Sequence, residues 1–578
     1  MTSSIADYFR KPVSGSEDLN RILALPRRTV NPKDYVQTVT KALRKPGPVH
    51  SGGPSELLPI QALALYELSR YGGLLGPIGV GHGKTGLDVL APMVLPACRR
   101  VVLLLPSALR NQFSVNYREW AVNFRVPNLA GERNFDASLP TITLVSYDQL
   151  SRESGTVLLD SLAPDFIIAD EAHALRHKVS ARTKRVLRYF SARPNTRFAG
   201  WSGTLTSRSI KDYAHLSTLA LRKNSPLPLH WATVEEWAAA IDANVSGIPA
   251  EPGALERLAE NGEDVRSAFR RRLVQTAGVV ATEESAIGTS LYFLERKIET
   301  PETVTKALQG LRSTWTRPDG EELVEAIQFY RCARELASGF YYRWRFPRGE
   351  DRRTIDRWLE TRKLWHKELR GKLSQAKPHL DSPLLCTKAA IRHEDGYRGP
   401  LPTWESEHWP QWREIRNTVK PETEAVWISD YLIQDICKSV DDKPIVWYEH
   451  DAFARKLKSA GIPCFGAGDV AISDEKGDRA IGASIFAHGT GKNLQMFASN
   501  LIANYPSSLS AWEQLLGRTH RPGQTADEVL VTVYRQTPEL RAALKKAREY
   551  ARYQQQTLGG AQKLLYSAYT FDPDDDAH

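Results

Sequence analysis

The sequence predicts an α/β fold: two parallel-sheet domains with a large helical insertion between them. Three observations carry this. Between residues 73 and 205, short apolar runs alternate with helical patterns, and the runs end in polar residues with chemistry to offer. The same alternation returns from residue 443 onward, while about two hundred residues in between read mainly helical and fit neither series. A chain of 578 residues is too long for a single core, so several domains are required. The boundaries read as an N-terminal arm over 1–50, a first domain over 51–215, the insertion over 216–425, a second domain over 426–553 and a tail over 554–578.

Composition narrows the class. Hydrophobic residues make up 42% and charged residues 25%, the balance of a folded soluble protein. The net charge of +10 favours polyanionic partners, although simple solubility also accounts for it. Cys98, Cys332, Cys386, Cys437 and Cys464 are scattered without CxxC or Cys/His ligand spacing. That argues against zinc and against a disulfide framework, and for a reducing compartment. No apolar run reaches membrane-spanning length and the N-terminus lacks a signal peptide's pattern, so the expectation is a cytoplasmic protein with no membrane partner.

Residues 1–50 are short on periodicity and read as an extended arm. Leu57 to Gln61 then leads into a helical pattern over 62–71. Gln61, with its paired donor and acceptor, suits recognition of an adenine edge. Pro77-Ile78-Gly79-Val80-Gly81-His82-Gly83-Lys84-Thr85 follows an apolar strand and precedes a helix, the setting of a phosphate-binding loop. Gly79, Gly81 and Gly83 let backbone N–H groups close on phosphate oxygens. Lys84 is placed to reach the β/γ-phosphates, and the Thr85 hydroxyl to hold Mg²⁺. Ile78 stands where the strict pattern has its first glycine.

Arg100 to Pro106 is a buried parallel strand, followed by Ser107 and Arg110 at the start of a helix. Thr141 to Val145 is a strand ending at Ser146. Phe166 to Ala169 runs directly into Asp170-Glu171-Ala172-His173, and Arg197 to Trp201 into Ser202-Gly203-Thr204. A strand-end Asp170 beside the loop can hold Mg²⁺, and Glu171 can orient and deprotonate a water. His173 would couple this site to Ser202 and Thr204. A chance DEAH tetrapeptide arises on the order of once in a few hundred proteins at average residue usage.

With Gln61, Gly81 to Thr85, Pro106, Asp170 to His173 and Ser202 to Thr204, the chain resembles the superfamily-two helicases, in particular their Swi/Snf-type branch. The resemblance implies two RecA-like domains with ATP between them, and a second sheet that supplies arginines. Strands at 443–448, 462–465, 483–487 and 501–505 fit that sheet. The stretch from His488 through Thr490 to Gln495 is similar to the family's fifth motif. Gln514-Leu515-Leu516-Gly517-Arg518-Thr519-His520-Arg521-Pro522-Gly523-Gln524 follows its QxxGRxxRxGQ motif. Arg518 and Arg521, three apart on one helical face, can act as arginine fingers, and Gln514 joins the coupling residues.

The resemblance implies an ATP- and Mg²⁺-dependent DNA helicase or translocase of a bacteriophage or bacterium, acting in replication, recombination or repair. Its alternatives are an RNA helicase and an ATP-gated DNA-binding scaffold. Ser107, Arg110, Ser146 and Thr490 are the candidate DNA contacts at strand ends. Within the insertion, Arg343 and Arg345 lie in an aromatic and basic stretch. That stretch reads equally as a stacking surface for nucleic acid or as a helical brace. Ile5, Tyr8 and Phe9 resemble a sliding-clamp-binding peptide that lacks the usual glutamine. A plain apolar anchor on the chain itself outweighs that reading. The acidic end over 572–576 is expected to be disordered.

Overall fold

The computed structural model describes residues 11–575 except 29–30, 80, 134, 207–208, 243–248, 261, 283–288, 322, 324–325, 348, 376–379, 470, 490–491 and 522. The sequence-predicted clamp peptide (Ile5, Tyr8, Phe9) and Thr490 lie outside the described residues. The protein is α/β, with two all-parallel sheets of six and seven strands.

The first sheet is built from β1 (Leu74–Gly76), β2 (Arg100–Leu105), β3 (Asn128–Leu129), β4 (Thr141–Ser146), β5 (Phe166–Asp170) and β6 (Arg197–Trp201), in the order β1-β6-β5-β2-β4-β3. Its central strands are apolar on both faces because helices cover both. Val102, Leu104, Ile167 and Ala169 point into one core, and Val101, Leu103, Phe166 and Ile168 into the other. Residues 11–50 correct the expectation of an extended arm. Helices Glu17–Ala24 and Val36–Leu43 place Leu19 and Ile22 in the first core and Val39 and Leu43 in the second.

The range 216–425 is likewise not one helical body. Helices Trp231–Ile241 and Val265–Val274 pack into the first half, and the stretch ending at Thr282 runs beside β1. The chain then crosses to the second sheet as β7 (Ser290–Arg296). Among the described residues, only the stretch between β8 (Phe340–Arg345) and β9 (Glu422–Trp427), an antiparallel pair, forms a separate helical unit. That unit packs around Trp358, Trp365, Trp404 and Trp409.

The second sheet continues with β10 (Ile445–Tyr448), β11 (Cys464–Phe465), β12 (Ile481–Ser484), β13 (Ser499–Ile502), β14 (Glu528–Tyr534) and β15 (Ala568–Tyr569), in the order β11-β12-β10-β13-β14-β7-β15. The tail assigned to 554–578 is therefore structural in part. Residues 554–558 complete helix Pro538–Leu558, β15 pairs with β7, and Asp574 forms ion pairs with Arg548 and Arg552. The described part of the acidic end is ordered because those two guanidiniums neutralise it.

Candidate functional site between the two sheets

Register brings the three motifs of the first half together. Within the ladder, Gly76 lies beside Trp201 and Trp201 beside Asp170. The residues that follow, the glycine loop, Glu171 and Ser202, thus emerge side by side at the carboxyl edge of the sheet, where α/β proteins bind ligands.

The glycine loop is held from below. Gln61 is 2% exposed, and its side-chain oxygen accepts the Leu58 N–H while its Nε2 donates to the Gly83 carbonyl at 2.7 Å. Its amide fixes the loop backbone, in place of the expected contact with an adenine edge. Gly83 has φ +71°, and a Cβ there would lie 2.4 Å from Gln61 Nε2, so only glycine fits. Thr282 closes the other side, accepting the Gly79 N–H at 3.0 Å. No motif marks this partner, which reaches the loop from two hundred residues away.

Lys84 opens helix Lys84–Leu90 and folds its ammonium over the loop, 3.3 Å from the Ile78 carbonyl and 3.2 Å from that of Gly79. It also lies 3.8 Å from Glu171 Oε1. Thr85, the next residue, is half-buried. Glu171 adopts φ +52°, unusual for a residue with a side chain. Ser202 donates to Glu171 Oε2 at 2.9 Å, and His173 Nδ1 lies 2.9 Å from Ser202 Oγ and 3.2 Å from Glu171 Oε2. The predicted coupling group of Glu171, His173 and Ser202 is therefore in contact. The Thr204 backbone N–H joins it through Ser202 Oγ at 3.2 Å, while the buried Thr204 hydroxyl has no partner among the described residues.

Three buried carboxyls meet here and are pushed in different directions. Burial would raise Glu171, but Lys84, His173 and Ser202 overcome it and hold this carboxyl well below its usual range. Asp170 is pushed up by burial and by the charge of Glu171, against the pull of Lys84. Asp88, which accepts the Trp201 indole N–H at 3.0 Å, is pushed up by burial and by Asp170. The sequence reading missed Asp88, a helix-interior residue with no motif to mark it. Such crowding of negative charge suits a divalent cation. Asp170 and Thr85 are the donors that can hold Mg²⁺, because that ion takes one or two protein oxygens and keeps phosphate or water for the rest. Among the described residues no group of three His, Cys, Asp or Glu side chains is arranged to bind a metal, and an ion held in this manner needs none.

The second half contributes helix Leu509–Thr519. Arg518 donates to the Gln514 carbonyl at 3.0 Å and to the Lys492 carbonyl at 3.1 Å. Arg521 bonds Asn493. Burial and the neighbouring Arg521 lower Arg518 to about 10, against the opposing pull of Glu171, so it stays a cation within reach of the charge on Glu171. Gln514, half-buried one turn earlier, provides the carbonyl that fixes Arg518. Beside the coupling group the two halves enclose a cavity of about 310 Å³, reached by Arg176 and Thr204 from one side and Arg334, Ser508 and Tyr550 from the other.

The candidate DNA contacts fare unevenly. Ser107 is exposed at the carboxyl edge and bonds Asp148 at 2.7 Å, and Arg110 bonds Gln149 and the Leu144 carbonyl. Ser146 is 3% exposed and caps helix Tyr147–Ser151, a role that turns its hydroxyl inward. Arg343 and Arg345 pair across the β8–β9 ladder with Glu424 and Glu422. Trp344 between them packs edge-on to Trp358, ring centres 5.9 Å apart, and further into the helical unit Trp365 stacks on Trp404 at 5.3 Å, packing of the kind a brace uses.

Compared with known proteins, the chain matches no family model and no curated protein.

Proposed function

We propose that the protein is an ATP-dependent DNA motor of the helicase/translocase class, with the two sheets as RecA-like halves around the nucleotide. One observation carries the reading. Lys84, Glu171 and the His173–Ser202 pair gather on one side, and the charge of Glu171 acts on Arg518, which has Arg521 beside it on the other half, more than three hundred positions away in sequence. Bound Mg²⁺ would supply charge neutralisation to the phosphates from Thr85 and Asp170. Glu171, kept ionised, would accept a proton from the attacking water. Lys84 would release the Ile78 and Gly79 carbonyls for phosphate oxygens. Arg518 and Arg521 would stabilise charge building on the transferred phosphoryl group. Ser202, bonded to Glu171 and to the Thr204 backbone, would pass the state of the site to the face where Ser107 and Arg110 lie.

DNA is favoured over RNA by the wording of the glycine loop and of the arginine motif, while the positive net charge suits either polyanion. The test measures ATP turnover with duplex DNA, single-stranded DNA and RNA, for wild type, Lys84→Ala and Glu171→Gln. Turnover stimulated by duplex and lost in both variants is expected. Full turnover in either variant rejects the reading, and stimulation by RNA alone moves it to an RNA helicase. Triplex displacement without strand separation would identify a duplex translocase.

A further inference from the structure

Helix Pro538–Leu558 begins on the second half and ends on the first. Near its end Tyr553 donates to Asp242 at 2.7 Å, Gln554 bonds the Gly203 carbonyl, and Leu558 enters the core under the first sheet. Gly559, at φ +91°, stops the helix. The chain then passes the glycine loop so closely that a Cβ on Gly560 would sit 3.7 Å from the Pro77 carbonyl. It returns to the second half at once. The backbone N–H groups of Lys563 and Leu564 both donate to the Glu513 carboxylate at 3.0 Å, on the helix that carries Arg518. β15 follows on the edge of the second sheet. Lys563 therefore stands at the point where the strap passes from the wall of the glycine loop to the arginine helix.

Its surroundings are those of a cation without its anion. Lys563 is 4% exposed. Its ammonium touches His520 Nδ1 at 3.1 Å and the Tyr566 hydroxyl at 3.2 Å. His520 Nε2 lies 2.7 Å from the Thr289 carbonyl, so that nitrogen carries the hydrogen and Nδ1 accepts from the lysine. Two neutral acceptors leave one ammonium proton over, and among the described residues no carboxylate forms an ion pair with it. The Glu513 carboxylate already accepts two backbone N–H groups. Burial draws Lys563 down to about 8; Glu513 resists that, and the positive charges of Arg518 and Lys84 add to it. Lys563 in turn helps burial and Lys84 lower His82 in the glycine loop to about 4. Lys84, Lys563 and Arg518 thus bear on one another where the strap passes between the glycine loop and the arginine helix, with Arg521 acting on Arg518, a charge distribution that a polyanion relieves.

We propose that Lys563 is a phosphate-binding residue of this cleft, so that a nucleoside triphosphate is gripped by three separate stretches of chain: the glycine loop, the arginine helix and the C-terminal strap. The proposal rests on the nucleotide reading given above and adds a ligand that no motif in the sequence marks. Because the strap touches Gly203 as well as the loop, the same contact ties nucleotide occupancy to the Ser202 coupling group.

The experiment titrates the full-length protein with ATP and with AMP, in the presence of Mg²⁺, for wild type, Lys84→Ala, Lys563→Gln, Lys563→Met and Lys563→Arg. Each is also melted without nucleotide. Lys563→Gln and Lys563→Met are expected to weaken ATP binding at least tenfold and leave AMP binding within twofold. Lys563→Arg should stay within about threefold of wild type. Without nucleotide, Lys563→Met should melt no lower than wild type, because removing one of four crowded cations relieves repulsion. Unchanged ATP affinity in Lys563→Gln alongside its loss in Lys84→Ala would overturn the proposal and leave the nucleotide reading standing. A drop in nucleotide-free melting temperature for both neutral variants, with ATP and AMP weakened alike, would make Lys563 a structural pin and also overturn it. Absence of ATP binding in wild type would remove both.

Discussion

Glu171 holds a left-handed backbone conformation that costs on the order of 1–3 kcal/mol, and its carboxylate is fixed by Lys84, His173 and Ser202. Glu171→Gln keeps the bond from Ser202 and removes the base. It should bind ATP as wild type does and turn it over at least about 100-fold more slowly, the usual worth of a positioned base; parallel binding and steady-state assays check this. Ser202→Ala leaves the base in place and still beside His173, but cuts its link to the Thr204 backbone. The expectation is basal turnover near wild type with at least a fivefold loss of stimulation by DNA. Gly83 offers a test of the loop's support. Gly83→Ala should destabilise the protein by about 1–3 kcal/mol, because its Cβ meets Gln61 and its φ is positive. Adding Gln61→Ala removes the clash, so the double variant should be more stable than the sum of the single changes, as read from urea midpoints.

At the scale of elements, the helical unit hanging from the second half is clamped to the first. Arg185 and Arg188 on helix Ala181–Ala192 pair with Asp381, Lys388 pairs with Glu153, and Lys184 donates to the Leu373 carbonyl at 2.7 Å. Arg185 and Asp381 are 2% and 3% exposed. Asp381→Ala leaves a buried guanidinium unpaired and should cost about 3–5 kcal/mol, whereas Arg185→Leu with Asp381→Leu should cost less. Denaturant unfolding of the three variants distinguishes these outcomes. The strands that end in polar motifs were legible because an apolar run closed by such residues is a local signal, whereas β3, β14 and β15 carry no such mark. β7 was not legible either, since its two neighbours in the sheet, β14 and β15, come more than 230 residues later. Helix Glu17–Ala24 escaped notice because two turns show little periodicity, and only burial of Leu19 and Ile22 against distant residues explains it. Of the site, the Lys84, Glu171 and arginine motifs could be read directly. Thr282, Asp88 and Lys563 could not, because topology rather than spacing brings them there.

For the whole molecule, acid should be more damaging than alkali. Burial draws His215 down to about 4, with Lys178 adding to the effect and a bond to the Leu175 carbonyl opposing it. It draws His450 down to about 3, helped by Arg331 and Arg334. Both are 8% exposed. Both are neutral in the fold, while the unfolded chain takes up protons near pH 6.5. Their contribution is therefore full above pH 6.5 and is lost as the pH falls toward about 4. The loss is about 1.4 kcal/mol per histidine per pH unit. Urea midpoints measured from pH 8 to 4.5 should be level at first and fall below 6.5; a level profile throughout would contradict the assignment. Among the described residues no helix is long and apolar enough to cross a membrane. The order of the second sheet also sets a timetable for biosynthesis. β7 is translated well before either strand that flanks it, and at roughly 5–20 residues per second the wait lasts tens of seconds. During that interval Leu291 and Phe293 have no sheet to enter, so the nascent chain carries a sticky edge beside a first half that can already fold. Slowing elongation between codons 300 and 520 should therefore raise the share of newly made protein that chaperones capture or that aggregates.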